Sequence, residues 1–146
     1  MATKNVVMVV DDDPMNLQMA EFILKRDLGV EVVTADSGYS CIALLQKKTQ
    51  VDLILLDIQM PRMDGFSTLE NIKKHPEWKK IPVIFLTASA DKDTVVKAAL
   101  AGVKGYIKKP FMPKELVDRV GSTLAVAALD SSDLSSLLDQ LSGLGQ

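Results

Sequence analysis

Asp52-Leu53-Ile54-Leu55-Leu56-Asp57 sets four unbroken apolar residues between two carboxylates, with Pro61 and Gly65 breaking the chain soon after. A strand with one wet face would alternate apolar and polar residues. A run that is apolar at every position is what a strand covered on both faces requires. Val6–Val10, which runs into Asp11, Asp12 and Asp13, reads the same way, as does Val83–Leu86, which runs into Thr87. Val30–Thr34 and Lys104–Lys108 are more mixed and suit sheet edges, where charges discourage pairing with other chains. The last of these leads through Tyr106 and Ile107 into Lys108, Lys109 and Pro110.

Helical patterns fill the gaps. Asp13 before Pro14 is an N-cap and first-turn signal. The helix that follows carries a polar stripe of Gln18, Glu21 and Lys25 and an apolar stripe of Met19, Ala20 and Ile23, with Gly29 as its stop. Ser37 is expected to cap a second helix through about Lys47, and Asp64 a third through about Lys74. Asp91 opens a fourth that ends at Gly102, and Pro113 begins a fifth with Leu116, Val117, Val120 and Leu124 inward. Five strand–helix units in one chain predict an α/β doubly wound fold with a parallel sheet between two helical layers. Ligands of such sheets bind beyond the carboxyl ends of the strands, where the winding reverses. The polar residues that end the runs sit at those ends.

Bulk properties narrow the class. A chain of 146 residues with 47% apolar and 25% charged content suits one soluble domain rather than a disordered or fibrous chain. A net charge of −2 offers no basic field, so no direct nucleic-acid partner is expected. No apolar stretch approaches the roughly 20 residues a membrane span needs, and the first residues lack a signal-peptide layout. Cys41 is the single cysteine, so no internal disulfide forms, and a cytoplasmic location is expected. Its neighbours Ile42, Leu44 and Leu45 mark it as a small core residue. The only histidine, His75, precedes Pro76 near Trp78 and reads as a loop or helix-end residue. Met60 and Met63 read as gap-fillers.

Consecutive Asp11, Asp12 and Asp13 repel one another unless a cation is present. Asp13 is best explained as the helix cap, whereas Asp11 and Asp12 suit a cation site. A hard cation such as Mg²⁺ prefers a few carboxylates, water and phosphate oxygens. Asp12 and Asp57 as ligands, with Asp11 acting through water, meet that need, and the spacing does not fit a helix–loop–helix calcium loop. Asp57 is also a candidate nucleophile on phosphorus, with the Thr87 hydroxyl and the Lys109 ammonium placed for phosphoryl oxygens.

Val-Val-Asp11-Asp12-Asp13-Pro14, Leu-Leu-Asp57-Ile-Gln-Met-Pro61-Arg-Met-Asp64-Gly65, Leu86-Thr87-Ala88 and Lys109-Pro110-Phe111, in this order, resemble the receiver domain of bacterial two-component response regulators. The resemblance runs from about Asn5 to Leu124. It implies a flavodoxin-like sheet in the order 2-1-3-4-5. It implies that Asp57 accepts a phosphoryl group from a sensor histidine kinase or phosphotransfer protein. Mg²⁺ (or Mn²⁺) would be held by Asp11, Asp12, Asp57 and the Gln59 backbone carbonyl, with Thr87 and Lys109 on the phosphoryl oxygens. The Lys109–Pro110 bond is expected to be cis. Tyr106 matches the family's switch aromatic, which turns inward as Thr87 moves. The altered surface would be that of the fourth helix, fifth strand and fifth helix, including Asp93, Val96, Lys97, Leu100 and Lys114. That face would meet a downstream protein or support dimerisation, and Gln59 and Ser89 flank the site and would tune the phosphate's lifetime.

A hydrolase working through an aspartyl-phosphate would place a second carboxylate two residues beyond the nucleophile. Position 59 is Gln, so the expected chemistry is limited to the protein's own phosphorylation and dephosphorylation. Residues 1–128 are read as the receiver and 129–146 as a short amphipathic tail or the start of a linker. In that tail Leu134, Leu137, Leu138 and Leu141 share helical spacing up to Gly143. Such a short helix docks on something, frays, or leads into a further segment.

Overall fold

The structure, a computed structural model, describes residues 4–89, 91–129 and 131–144. Along the chain come β1 (Val6–Val10), α1 (Pro14–Leu28), β2 (Glu31–Ala35), α2 (Gly38–Gln46), β3 (Leu53–Asp57) and α3 (Gly65–Lys73). Then follow β4 (Val83–Thr87), α4 (Lys92–Leu100), β5 (Gly105–Lys108), α5 (Pro113–Ala127) and α6 (Ser131–Leu144). All strands pair in parallel in the order β2-β1-β3-β4-β5, so the two mixed strands are indeed the edges. This is the five-stranded, doubly wound, flavodoxin-like fold.

Side chains alternate across a strand, so an unbroken apolar run supplies two cores at once. Val7, Val9, Leu53, Leu55, Ile84, Leu86 and Ile107 pack against Ala20, Ile23 and Leu24 of α1 and Leu116, Val120 and Leu124 of α5. Met8, Val10, Ile54, Leu56, Val83 and Phe85 face the other way, onto Cys41, Leu45, Leu69, Ile72 and Ala98 of α2, α3 and α4. Each such fully buried side chain stabilises the fold by roughly 1.5–3 kcal/mol relative to exposure. Cys41 is fully buried, and burial pushes its thiol up to about 12, which leaves it an inert core residue.

The expected caps hold four helices in place. Asp13 accepts from the Met15 N–H at 2.9 Å, Ser37 from Ser40 at 3.0 Å, Asp64 from Ser67 at 2.8 Å and Asp91 from Thr94 at 2.7 Å. Gly29, at φ 65°, closes α1 in the left-handed conformation. Several bounds differ from expectation. Asp57 and Thr87 are the last residues of β3 and β4 and not the residues after them, because Asp57 stays in register with Leu86 and Thr87 with Lys108. β2 starts at Glu31, one residue past Val30, and β5 at Gly105, one past Lys104. Met19 is a correction: it is 45% exposed, because the core-facing side of α1 is centred on Ala20 and Leu24, and Met19 lies beyond Ile23 on the solvent side.

In α6, Leu138 and Leu141 are exposed. The side chains of Leu134 and Leu137 lie outside the described residues. His75 follows α3 and stacks on Trp78 with ring centroids 3.8 Å apart, a local loop contact.

Candidate functional site at the carboxyl edge of the sheet

Strand parity decides which polar groups meet. Val9 and Leu55 face α1 and α5, so the residues two further on, Asp11 and Asp57, leave the sheet on that same side; Ile107 and Lys109 repeat the relation on β5. The three side chains converge. Lys109 Nζ lies 2.7 Å from Asp11 Oδ2 and 3.1 Å from Asp57 Oδ1. Asp11 is fully buried and Asp57 almost so.

Local backbone locks this triad. The Asp13 N–H donates to Asp11 Oδ1 at 2.9 Å, and Asn16 Nδ2, one turn into α1, donates to Asp11 Oδ2 at 3.2 Å. The Gln59 N–H donates to Asp57 Oδ1 at 3.3 Å, so the turn after β3 folds back over the carboxylate and leaves the Gln59 side chain exposed. That turn is pinned by Gly65, whose N–H bonds Ile58 O at 2.8 Å. A Cβ on Gly65 would stand 2.5 Å from Asp57 O and 2.8 Å from Ile58 Cα, so only glycine fits. On β5, the Lys109 N–H donates to Thr87 O at 2.8 Å, and the Lys109–Pro110 bond is cis, as expected.

Charge in the cleft is unbalanced. Carboxylate oxygens of Asp11, Asp12 and Asp57 all lie within 4.8 Å of one another, with Asp12 at the exposed rim. One ammonium faces three acids. Burial, and then the Asp11 charge, push the Asp57 carboxyl from 3.8 up to about 6, against the pull of Lys109 and the Gln59 N–H. Burial alone would lower Lys109, but its hydrogen bonds and ion pairs with Asp11 and Asp57 outweigh it, and its pKa is raised. An all-oxygen donor set with excess negative charge fits a hard divalent cation such as Mg²⁺ or Mn²⁺.

Thr87 and Tyr106 belong to the opposite face. Thr87 follows Phe85 in parity, and Tyr106, in register with Phe85, packs partly into the core under α4. In this state the Thr87 hydroxyl is engaged within its own loop, donating to Ser89 O at 2.5 Å and accepting from the Ser89 N–H at 3.1 Å. The structure thus brings Asp11, Asp12, Asp57 and Lys109 together and holds Thr87 one step away, at the end of the adjacent strand. Asp13 serves as the α1 cap. On the α4-β5-α5 face Val96 is 48% and Leu100 84% exposed, Asp93 is exposed, and Lys114 pairs with Asp118 at 2.7 Å. Lys97 leans away from that face, its ammonium 4.2 Å from the Phe66 ring centroid of α3.

Two contributors were not foreseen from sequence: Asn16 and Gly65. The first had a signal, since a helix opened by Asp13-Pro14 turns its first-turn residues back over Asp11. Gly65 stood in the motif after the Asp64 cap, but its close approach to the Asp57 backbone had no signal there.

Residues 7–121 match the family model of the response regulator receiver domain. The chemotaxis protein CheY-3 of Vibrio cholerae is 37% identical over 121 residues, which cover 80% of this chain and 92% of that one. Protein PilG of Pseudomonas aeruginosa is 35% identical over 114 residues, 78% of this chain and 83% of its own. Among solved structures, a response regulator from Chloroflexus aurantiacus superposes with a TM-score of 0.78 at 34% identity, covering 84% of this chain and 99% of that one. V. cholerae CheY4 does so with a TM-score of 0.76 at 30% identity, covering 82% and 98%. With this fold, this edge cluster and these relatives, the chain belongs to the response regulator receiver family, the signalling module of two-component systems.

Proposed function

We propose that Asp57 accepts a phosphoryl group from the phosphohistidine of a sensor histidine kinase or phosphotransfer protein, in a reaction that depends on Mg²⁺ or Mn²⁺. The observation that carries this reading is the Lys109 ammonium bridging two buried carboxylates, 2.7 Å from Asp11 and 3.1 Å from Asp57. An Asp57 oxygen attacks phosphorus; the new P–O bond forms as the P–N bond breaks, and the imidazole leaves with the electron pair and takes up a proton from water. Lys109 neutralises phosphoryl oxygen charge as the bond forms. Asp11, Asp12, Asp57 and the Gln59 carbonyl would hold the divalent cation, which would supply further positive charge for the phosphoryl oxygens.

The product carries about −1.5 to −2 charges and new acceptor oxygens. Thr87 exchanges its bonds to Ser89 for one to the phosphoryl group, and Tyr106 moves into the space it leaves. The α4-β5-α5 face then favours a downstream protein or a second copy of the chain. The protein acts on no outside substrate; it catalyses only its own phosphorylation and dephosphorylation, with Gln59 and Ser89 controlling water access. Met15, Met19 and Phe22 form an exposed apolar row on α1 next to the cleft, 71%, 45% and 62% accessible, and support docking of the phosphoryl donor there. No helix among the described residues is long and apolar enough to cross a membrane, and a cytoplasmic site of action fits this chemistry.

Incubation with Mg²⁺ and a small acyl-phosphate donor, followed by intact-mass measurement, tests the proposal. One phosphoryl group is expected in the native protein and none in Asp57→Asn or in excess chelator. An unchanged native mass would overturn it.

A further inference from the structure

Asp11 is fully buried, and both of its carboxylate oxygens are already engaged. Oδ1 accepts from the Asp13 N–H at 2.9 Å. Oδ2 accepts from Lys109 Nζ at 2.7 Å and from Asn16 Nδ2 at 3.2 Å. An ionised carboxylate offers about four acceptor positions, so one, on Oδ1, is left. Of the three donors, one is backbone and one is the cationic Lys109; Asn16 is the neutral side chain. It is the third residue of α1 and half-buried, and the Asp13 cap on the Met15 N–H fixes the turn that carries it. Its carboxamide can face a carboxylate only through its NH₂ group, since its oxygen would oppose Asp11 Oδ2.

We propose that Asn16 is a positioning residue for the divalent cation. Its amide fixes the plane of the Asp11 carboxylate, so that the remaining acceptor position is presented in one direction, toward the cation or a water bound to it. The inference rests on the phosphoryl-acceptor reading above. Charge explains why this donor is neutral. Three carboxylates and one ammonium leave the cleft two negative charges, which one divalent cation cancels. A second ammonium at position 16 would hold Asp11 as well but would take up half of that charge. The amide supplies a hydrogen bond and leaves the charge for the cation. Asn16 also shares Oδ2 with Lys109. When Lys109 turns to a phosphoryl oxygen, the buried Oδ2 therefore keeps a partner and does not bear the cost of an unpaired charge.

Titration calorimetry with Mg²⁺ alone, without any phosphoryl donor, tests this. Asn16→Leu keeps the shape of the side chain and removes the donor, Asn16→Ala removes it while favouring the helix, and Asn16→Gln keeps it. Losing a group that orients a metal ligand weakens binding by about 10–100-fold, the range expected for the Leu and Ala variants, with Asn16→Gln within about threefold of native. All three should unfold in urea close to the native midpoint in chelator. Labelling by acyl phosphate should be slow in Asn16→Leu and Asn16→Ala at sub-saturating Mg²⁺ and return to near the native rate at saturating Mg²⁺. Unchanged Mg²⁺ affinity in both donor-free variants would overturn the proposal. So would an equal loss in Asn16→Gln, which would assign the effect to packing, or a rate deficit that persists at saturating Mg²⁺. A native protein that binds no Mg²⁺ would overturn the phosphoryl-acceptor reading itself, and the proposal with it.

Discussion

Replacing Asp57 with Asn should stabilise the domain at neutral pH in the absence of divalent cations. The ionised carboxylate sits in a buried cleft beside Asp11, and its pKa is displaced from 3.8 to about 6. That displacement corresponds to about 3 kcal/mol at full strength, which solvent at the mouth of the cleft reduces to about 1–2 kcal/mol. Because the folded pKa lies above the unfolded one, the folded chain binds the proton more tightly. The contribution to stability is therefore fully present below pH 3.8 and is lost as pH rises through about 6. Urea unfolding at intervals from pH 4.5 to 8, in chelator, measures it. The stability of Asp57→Asn minus that of the native protein should grow by about 1–2 kcal/mol across this range and level off above about pH 7. For a domain of this size that is a rise of roughly 2–8 °C in midpoint temperature. A variant less stable than the native protein at pH 7.5, or a difference independent of pH, would refute the electrostatic reading of the cleft.

Other perturbations follow from the same geometry. Lys109→Ala leaves buried carboxylates without their cation and should cost about 3–5 kcal/mol at neutral pH, read by urea unfolding, while abolishing phosphorylation. Saturating Mg²⁺ should stabilise the native protein by about 2.7 kcal/mol at a hundred times its Kd, with most of the gain lost in Asp12→Asn, as thermal unfolding against Mg²⁺ concentration will show. Gly65→Ala forces a methyl group against Asp57 O and Ile58 Cα, and should destabilise by about 1–3 kcal/mol and slow phosphorylation by acyl phosphate. Phe22→Glu should slow transfer from a phosphohistidine protein at least about tenfold and leave the acyl-phosphate rate unchanged, since its side chain is exposed and outside the cleft.

Much of this fold is legible because β1, β3 and β4 are buried on both faces, which makes their sequences apolar at every position and their polar ends conspicuous. The helix starts are legible for a local reason: Asp13, Ser37, Asp64 and Asp91 each satisfy backbone N–H groups within three residues. Packing direction was harder to read. Met19 fits an apolar stripe by residue type, yet only the position of α1 over the sheet shows that the stripe centres on Ala20 and Leu24. The edge cluster was legible as a set of residue types, but not its division by face. Parity places Asp11, Asp57 and Lys109 together on the α1–α5 side and Thr87 with Tyr106 on the α4 side, and that follows from register between strands far apart in sequence. The tighter contact of Lys109 with Asp11, and the closing of Thr87 onto Ser89, likewise depend on tertiary geometry that no local pattern encodes.

The most direct test of the central claim is to locate the phosphoryl group. Protein freshly phosphorylated in Mg²⁺ is reduced with borohydride, which converts an acyl phosphate to an alcohol, and its peptides are mapped by mass. The account predicts a single modified side chain at position 57. Modification at Asp11 or Asp12 in place of Asp57, or a borohydride-resistant phosphate on His75 or a hydroxyl residue, would contradict it.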